Sequence, residues 1–391
     1  MISNIRNENQ LFNKKSIFAI NFNFMLSEQD FIVNDNTTSV EKGTFQWSAP
    51  SNIALVKYWG KKENQIPANP SISFTLNNCK TITNLAFTKK HFDKLSVTNN
   101  RFSFDLLFEG KPKEEFKPKI QKFFERIDVY CPYLKDYHFT IDTENTFPHS
   151  SGIASSASGM AALAMNIMSL EKALNPTMTN QFFFQKASFL ARLGSGSACR
   201  SIKGNIVVWG KHAEIEGSSD LFGVEFPAKI HENFKNYQDT ILLVDKGEKQ
   251  VSSTIGHDLM HNHPFAEQRF AQAHDNLAKI KIIFETGNLD EFIQIVESEA
   301  LTLHAMMMTS LPYFILMKPN TLEIINTIWK FRNETNIPIC FTLDAGANVH
   351  ILYPENVREH VLQFIKDELV GYCQNGNYIC DTIGNGSQIL T

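Results

Sequence analysis

The sequence predicts an α+β fold in two domains, on three observations. The chain has 391 residues, 43% hydrophobic and 20% charged, which is enough for two packed cores with an ordinary globular balance. Short alternating or β-branched runs separated by turn residues fill the region from about 45 to 147. They point to an antiparallel sheet rather than a doubly wound parallel one. Helix-period stretches then mix with short strands in both halves, which implies helices packed on a sheet in each domain and a cleft between them. Composition changes near 225–238, so the domains are placed at 41–230 and 231–391, with 1–40 as an N-terminal extension.

The elements follow in order. NDNTT (34–38) reads as a loop, and the first firm strand runs over 45–57. SISFTL (71–76), TITNLAF (81–87), KLSVT (94–98) and RFSFDL (101–106) read as separate short strands. Residues 115–128 carry Phe116, Ile120, Phe123 and Ile127 at helical spacing, with Pro118 early enough for a first turn. YHFTIDTENTF (137–147) alternates as a strand and leads into PHSSGIASSASGMAALAMNIMSL (148–170), a serine-glycine loop opening a helix. Met160, Leu163, Ala164 and Ile167 form its buried stripe. A helix at 181–192 and a strand at 204–210 complete the first half. The second half opens with TILLVD (240–245), then helices at 265–285 and 288–309, a strand at FILMK (314–318) and a helix at 321–335. CFTLDA (340–345) and VHILYP (349–354) flank Gly346 and Asn348, and a helix covers 356–370. The polar tail after Gly371 carries no element signal.

Composition excludes several functions. A formal net charge of -4 gives no bulk attraction to nucleic acid or to an anionic membrane. No stretch approaches 18 apolar residues, so no spanning helix is expected. The first 26 residues lack the clean apolar core of a secretory leader. The six cysteines form no CxxC pair, which favours reduced thiols in a cytoplasmic protein. HNH (261–263) reads as a polar turn, His304 and His350 as structural or surface histidines, and Met306–Met308 as core or cleft wall.

Four separated segments carry chemistry. In the loop, Gly152 and Gly159 bracket very small side chains, so a polyphosphate can approach the backbone. Ser151, Ala154 and Ser158 belong to the same run, and Ser155 and Ser156 can offer hydroxyls to phosphate or to magnesium. The loop has neither the GxxxxGK[ST] nor the GxGxxG order, so it is no standard P-loop or dinucleotide loop. Alone it also reads as a small-residue turn and N-cap that lets two helices pack closely. RLGSGSACRS (192–201) adds Ser195, Ser197 and Arg200, SNIALVKYWGKK (51–62) adds Lys57 in an apolar run, and FTLDAGANVHILYP (341–354) leaves Asp344 at a strand end. Together they describe a site that moves a phosphoryl group from a nucleotide to a small anion. Lys246–Lys249 reads as a solvated loop, with Ser252 and Ser253 close enough in sequence to approach a phosphate.

SAPSNIALVKYWGKK, IPANPSISFTL, PHSSGIASSASGMAAL, RLGSGSACRSIKGNIVVW and TLDAGAN, spread over about 45–355, closely resemble the diphosphomevalonate decarboxylase family of the galactokinase–homoserine kinase–mevalonate kinase superfamily. The resemblance implies a small-molecule kinase fold, with an N-terminal domain like ribosomal protein S5 domain 2 and a C-terminal ferredoxin-like domain. It also implies a homodimer that uses ATP and Mg²⁺ on mevalonate 5-diphosphate. Asp344 matches the catalytic aspartate, Lys57 its lysine partner and Arg200 the arginine on the substrate carboxylate. Ser195 and Ser197 match substrate-side serines, and Asn52 matches the asparagine that orients the arginine. Tyr58 and Trp59 match the aromatic pair beside the diphosphate, with Lys61 on the substrate side, and Ser156 matches the phosphate-facing serine taken as the metal ligand. The chain departs from the pattern at His149, where a small residue is usual, and at Ala347, where proline is usual. A mevalonate-type kinase without decarboxylation is the rival reading, and an inactive structural or regulatory homologue the second. The Asp344–Lys57–Arg200 combination argues against both.

Overall fold

The structure, a computed structural model, describes residues 26–33, 37–90, 102–148, 153–245 and 253–391, with the backbone alone for 253 and 254. The expected strand KLSVT, part of NDNTT, and the readings on His149, Ser151, Gly152, Lys246–Lys249 and Ser252 lie outside the described residues.

The elements are β1 (Lys42–Val56), β2 (Ser71–Lys89), β3 (Ser103–Phe108), β4 (Lys111–Pro112), α1 (Lys117–Ile127), β5 (Tyr137–Asn145), α2 (Ser155–Leu174), α3 (Asn180–Gly194), β6 (Ile206–Trp209) and β7 (Val224–Glu225). Then come β8 (Gln238–Leu242), α4 (Ser253–Asp258), α5 (Ala266–Thr286), α6 (Leu289–Met308), α7 (Pro319–Thr335), β9 (Cys340–Leu343), β10 (Val349–Tyr353), α8 (Arg358–Phe364), β11 (Tyr378–Thr382) and β12 (Gln388–Ile389). The first sheet runs β12-β1-β2-β5-β3-β4, with β6 on the early part of β2 and β7 beyond it; the second runs β11-β8-β10-β9. Every pairing is antiparallel except β3 with β5, which is parallel.

Three sequence expectations change. SISFTL and TITNLAF belong to one strand, β2, whose pairing with β1 shifts register near Asn77–Cys79. The chain stays extended across this irregularity because Asp381 accepts from the backbone N–H groups of Asn77, Asn78 and Cys79 at 2.8–2.9 Å. FILMK forms no strand: Ile315 is exposed while Leu316 packs into the apolar cluster with Trp59, and among the described residues no strand pairs with the segment. The tail after Gly371 is structured, contributing β11 to the second sheet and β12 to the first.

Packing explains the placement of the site. α2 is apolar nearly all round, and such a helix must be covered on every side. It lies on β1 and β2 with α3 against it, and its middle residues from Ala161 to Leu170 are buried throughout. A second core joins the halves: Phe74 of β2 lies 5.8–6.3 Å from Tyr237, Phe284 and Phe292. The end of β1, the end of β9 and the start of α2 are therefore held rigidly on one cavity. N-terminal to the sheet, Phe31 is fully buried and stacks on Phe189 at 4.4 Å.

Candidate active site

Lys57 follows the last residue of β1, and Asp344 follows the last residue of β9. The two come from opposite halves of the chain, and Lys57 Nζ donates to Asp344 Oδ1 at 3.2 Å. Lys57 is 2% exposed and the Asp344 side chain 29%. Burial pulls the lysine pKa down, and the adjacent carboxylate opposes that fall. The main chain of Lys57 is clamped as well. Its N–H donates to Glu299 Oε2 at 2.8 Å, and its carbonyl accepts from Asn69 at 2.9 Å and Arg269 at 3.1 Å. Arg269 and Glu299 are a buried ion pair from α5 and α6. His304 donates from Nε2 to the Asp344 carbonyl at 3.1 Å. Its pKa is held at about 4, mainly by burial, so it stays a neutral donor.

Arg200 lies in the short 3₁₀ turn Gly196–Ser201 that follows α3. It is 2% exposed, and polar side chains of β1 and β2 surround its guanidinium. Nε donates to Ser73 Oγ, Nη1 to Ser71 Oγ at 2.6 Å and Nη2 to Asn52 Oδ1 at 3.4 Å. Asn52 is fixed in turn by donating to Ser201 Oγ at 2.7 Å and the Ser197 carbonyl at 3.2 Å. Three of the five guanidinium N–H groups are thereby used. Among the described residues one remains on each Nη, donors suited to a carboxylate.

These groups share a cavity of about 650 Å³. Among the described residues four cations line it, Lys57, Lys61, Lys119 and Arg200, against one carboxylate, Asp344. Such a surplus suits a polyanion. Tyr58, Trp59, Ser195 and Ser197 also line it, as do Ala154, Ser155, Ser156 and Gly159 at the start of α2. Ala154 turns into α2 with φ 45° and offers no side-chain cap, so among the described residues the first N–H groups of the helix remain available to an anion. Ser158 does not line the cavity. It is fully buried, with its hydroxyl 2.6 Å from Thr81 Oγ1 and donating to the Ser155 carbonyl at 3.3 Å. Asn52 acts from behind Arg200. Lys61 pairs with Asp258 at 3.3 Å. Met306 and Met307 are buried in an apolar cluster with Trp59.

Two residues escaped the sequence reading. Lys119 of α1 donates to Ser156 Oγ at 2.8 Å; its only signal was its place beside the apolar stripe of that helix. His257 near the end of α4 lines the cavity and accepts from the Gly60 N–H at 3.0 Å. No local motif marks it.

Comparison with known proteins agrees with this geometry. Residues 49–220 match a model described as the diphosphomevalonate decarboxylase-like N-terminal domain, and residues 240–385 match the mevalonate 5-diphosphate decarboxylase C-terminal domain. The chain is 30% identical over 331 residues to diphosphomevalonate decarboxylase of Ganoderma lucidum, covering 82% of this chain and 80% of that one. Among solved structures it is similar to mevalonate diphosphate decarboxylase of Staphylococcus aureus, with TM-score 0.74 and 27% identity over 90% of this chain and 98% of that one. It is equally similar to MDDEF in complex with MVAPP, AMPPCP and magnesium, with TM-score 0.74 and 27% identity over 89% of this chain and 99% of that one. A two-domain α+β fold, both domain models in order and a relative matched over four-fifths of its length lead to one conclusion: the chain belongs to the diphosphomevalonate decarboxylase family.

Proposed function

We propose that this chain phosphorylates the tertiary 3-hydroxyl of mevalonate 5-diphosphate with ATP, then releases phosphate and CO₂ to leave isopentenyl diphosphate and ADP. One observation carries the reading: Lys57 and Asp344, from opposite halves, meet at 3.2 Å in the cavity that Arg200 also lines.

A tertiary alcohol is crowded and weakly nucleophilic, so the first task is alignment with the γ-phosphate. Asp344 accepts the hydroxyl proton as the oxygen–phosphorus bond forms and the bond to ADP breaks. Lys57 keeps Asp344 ionised and offsets the charge that gathers beside it. Arg200 holds the carboxylate with its two remaining N–H groups and leaves it unprotonated. The phosphate then departs with the C3–O electron pair. The carboxylate carbon–carbon pair becomes the new double bond, and CO₂ leaves. Ser195 and Ser197 line the substrate side.

The start of α2 fits a nucleotide: uncapped N–H groups, the Ser155 and Ser156 side chains, and Lys119 converge there. Ser156 would hold Mg²⁺ together with phosphate oxygens, the sparse protein ligation this cation accepts. When bound, MgATP supplies the phosphoryl group and neutralises charge on it. MDDEF, solved with MVAPP, AMPPCP and magnesium, supports the assignment.

The finer architecture is part of the same proposal. The domains divide near residue 230, and the first is like ribosomal protein S5 domain 2. The strand order β11-β8-β10-β9, with helices α4 to α7 between β8 and β9 and α8 between β10 and β11, supports a ferredoxin-like second domain. The enzyme works as a homodimer in the cytoplasm; six free cysteines, five of them buried, suit a reducing compartment. The test is purified protein with mevalonate 5-diphosphate, MgATP and a CO₂ readout, with the 5-monophosphate run in parallel. ADP, phosphate and CO₂ in equal amounts are expected. ADP formed with a phosphorylated acid and no CO₂ overturns the reading.

A further inference from the structure

His257 lines the cavity, yet the reaction described above gives it no task. Its ring lies 4.2 Å from that of Tyr58 and 4.7 Å from that of Trp59, centroid to centroid. Two glycines make this close fit possible. Gly60 has φ 96°, where L side chains are strained, and a Cβ on it would lie 2.9 Å from Phe270. A Cβ on Gly256 would lie 2.5 Å from the Trp59 ring. A side chain on either glycine would collide with the aromatic rings packed around this spot.

Gly60 donates its N–H to His257 Nδ1. A neutral ring that accepts at Nδ1 carries its hydrogen at Nε2. Burial, with the positive charges of Lys61 and Arg200, holds the pKa at about 3, so the ring stays neutral through the working range. Nε2 has no hydrogen-bond partner among the described residues. A neutral N–H donor in a cavity lined by Lys61 and Arg200 suits a charged oxygen. It adds a directed bond without adding a further cation that would need its own counter-charge.

We propose that His257 is a substrate-binding residue whose Nε2–H donates to a diphosphate oxygen of the bound substrate, while Nδ1 locks the ring to Gly60. This rests on the function proposed above. It assigns α4, from the C-terminal half, a direct contact with substrate.

Two substitutions separate the ring nitrogens. His257→Asn keeps an acceptor near the Nδ1 position and removes the outer donor. His257→Gln keeps a donor near the Nε2 position and removes the inner acceptor. His257→Asn is expected to raise KM for mevalonate 5-diphosphate about 10- to 100-fold, the range of a lost hydrogen bond to a charged group. Its kcat and KM for ATP are expected to stay within about threefold of wild type. His257→Gln is expected to recover most of the lost KM. Unchanged KM in His257→Asn overturns the proposal. Equal damage in both variants, or an equal rise in the ATP KM, also overturns it and leaves the ring a packing role. Wild-type protein that releases no CO₂ overturns the functional reading, and this inference with it.

Discussion

Replacing Asp344 by asparagine tests the centre of the site most directly. The side chain keeps its shape but loses one charge of a pair whose other member, Lys57, is 2% exposed. At 3.2 Å a full ion pair is worth about 5 kcal/mol at an effective dielectric constant of about 20. Asp344 is 29% exposed, so water screens part of this, and a stability loss of about 1–3 kcal/mol is expected. The loss depends on pH with a definite sign. Burial lowers the Lys57 pKa from 10.5 and Asp344 opposes that drop, so the variant lowers it further. Between the folded value and 10.5 the unfolded chain holds more protons than the folded one, and stability rises with pH across that window. The Tm gap between wild type and Asp344→Asn is therefore widest below the variant's lowered Lys57 pKa and narrows as pH rises through the window toward 10.5. Turnover should fall about 10²–10⁴-fold, the scale of general-base assistance, while substrate binding measured by calorimetry persists. Thermal melts across pH and a coupled ADP assay read both effects. Near-normal turnover rejects Asp344 as the base, and a Tm gap that does not change with pH rejects the charge coupling to Lys57.

Arg200→Lys keeps the charge but loses the fork. KM for mevalonate 5-diphosphate should rise about 10- to 100-fold and the CO₂:ADP ratio should fall below one; unchanged values for both reject the carboxylate clamp. Lys119→Met removes the cation that donates to Ser156, so KM for ATP should rise about tenfold or more with little change for the other substrate; the reverse pattern moves Lys119 out of the nucleotide site. Phe31→Ala empties a fully buried ring site stacked on Phe189, and denaturant melts should show a loss of about 3 kcal/mol. A loss under about 0.5 kcal/mol would show that this segment before the sheet adds little to the fold.

The legible parts of the sequence were local. Lys57, Arg200 and Asp344 sit at the ends of regular elements, inside runs whose apolar pattern marks those ends. Distant partners account for the misses. β2 reads as two strands because Asn77 and Asn78 look like a turn, and Asp381, about 300 positions later, is what satisfies the backbone there. The tail is polar, so it shows no period, and its strands exist because β8 and β1 present open edges to it. Ser156 and Ser158 look alike in sequence. Two positions around the helix turn one toward the cavity and the other onto Thr81. Lys119 and His257 belong to the site only through tertiary packing, which no spacing rule encodes.

The closure of the first sheet has a consequence for biosynthesis. β1 pairs on its outer side with β12, and Ser48 donates to the carbonyl of Gln388, 340 positions away. A ribosome adding roughly 5–20 residues per second leaves that flank of β1 bare for roughly 20–70 s. An unpaired edge is a template for pairing with other chains, so the stretch of β1 at Trp47 and Ser48 stays open to such pairing until β12 is made.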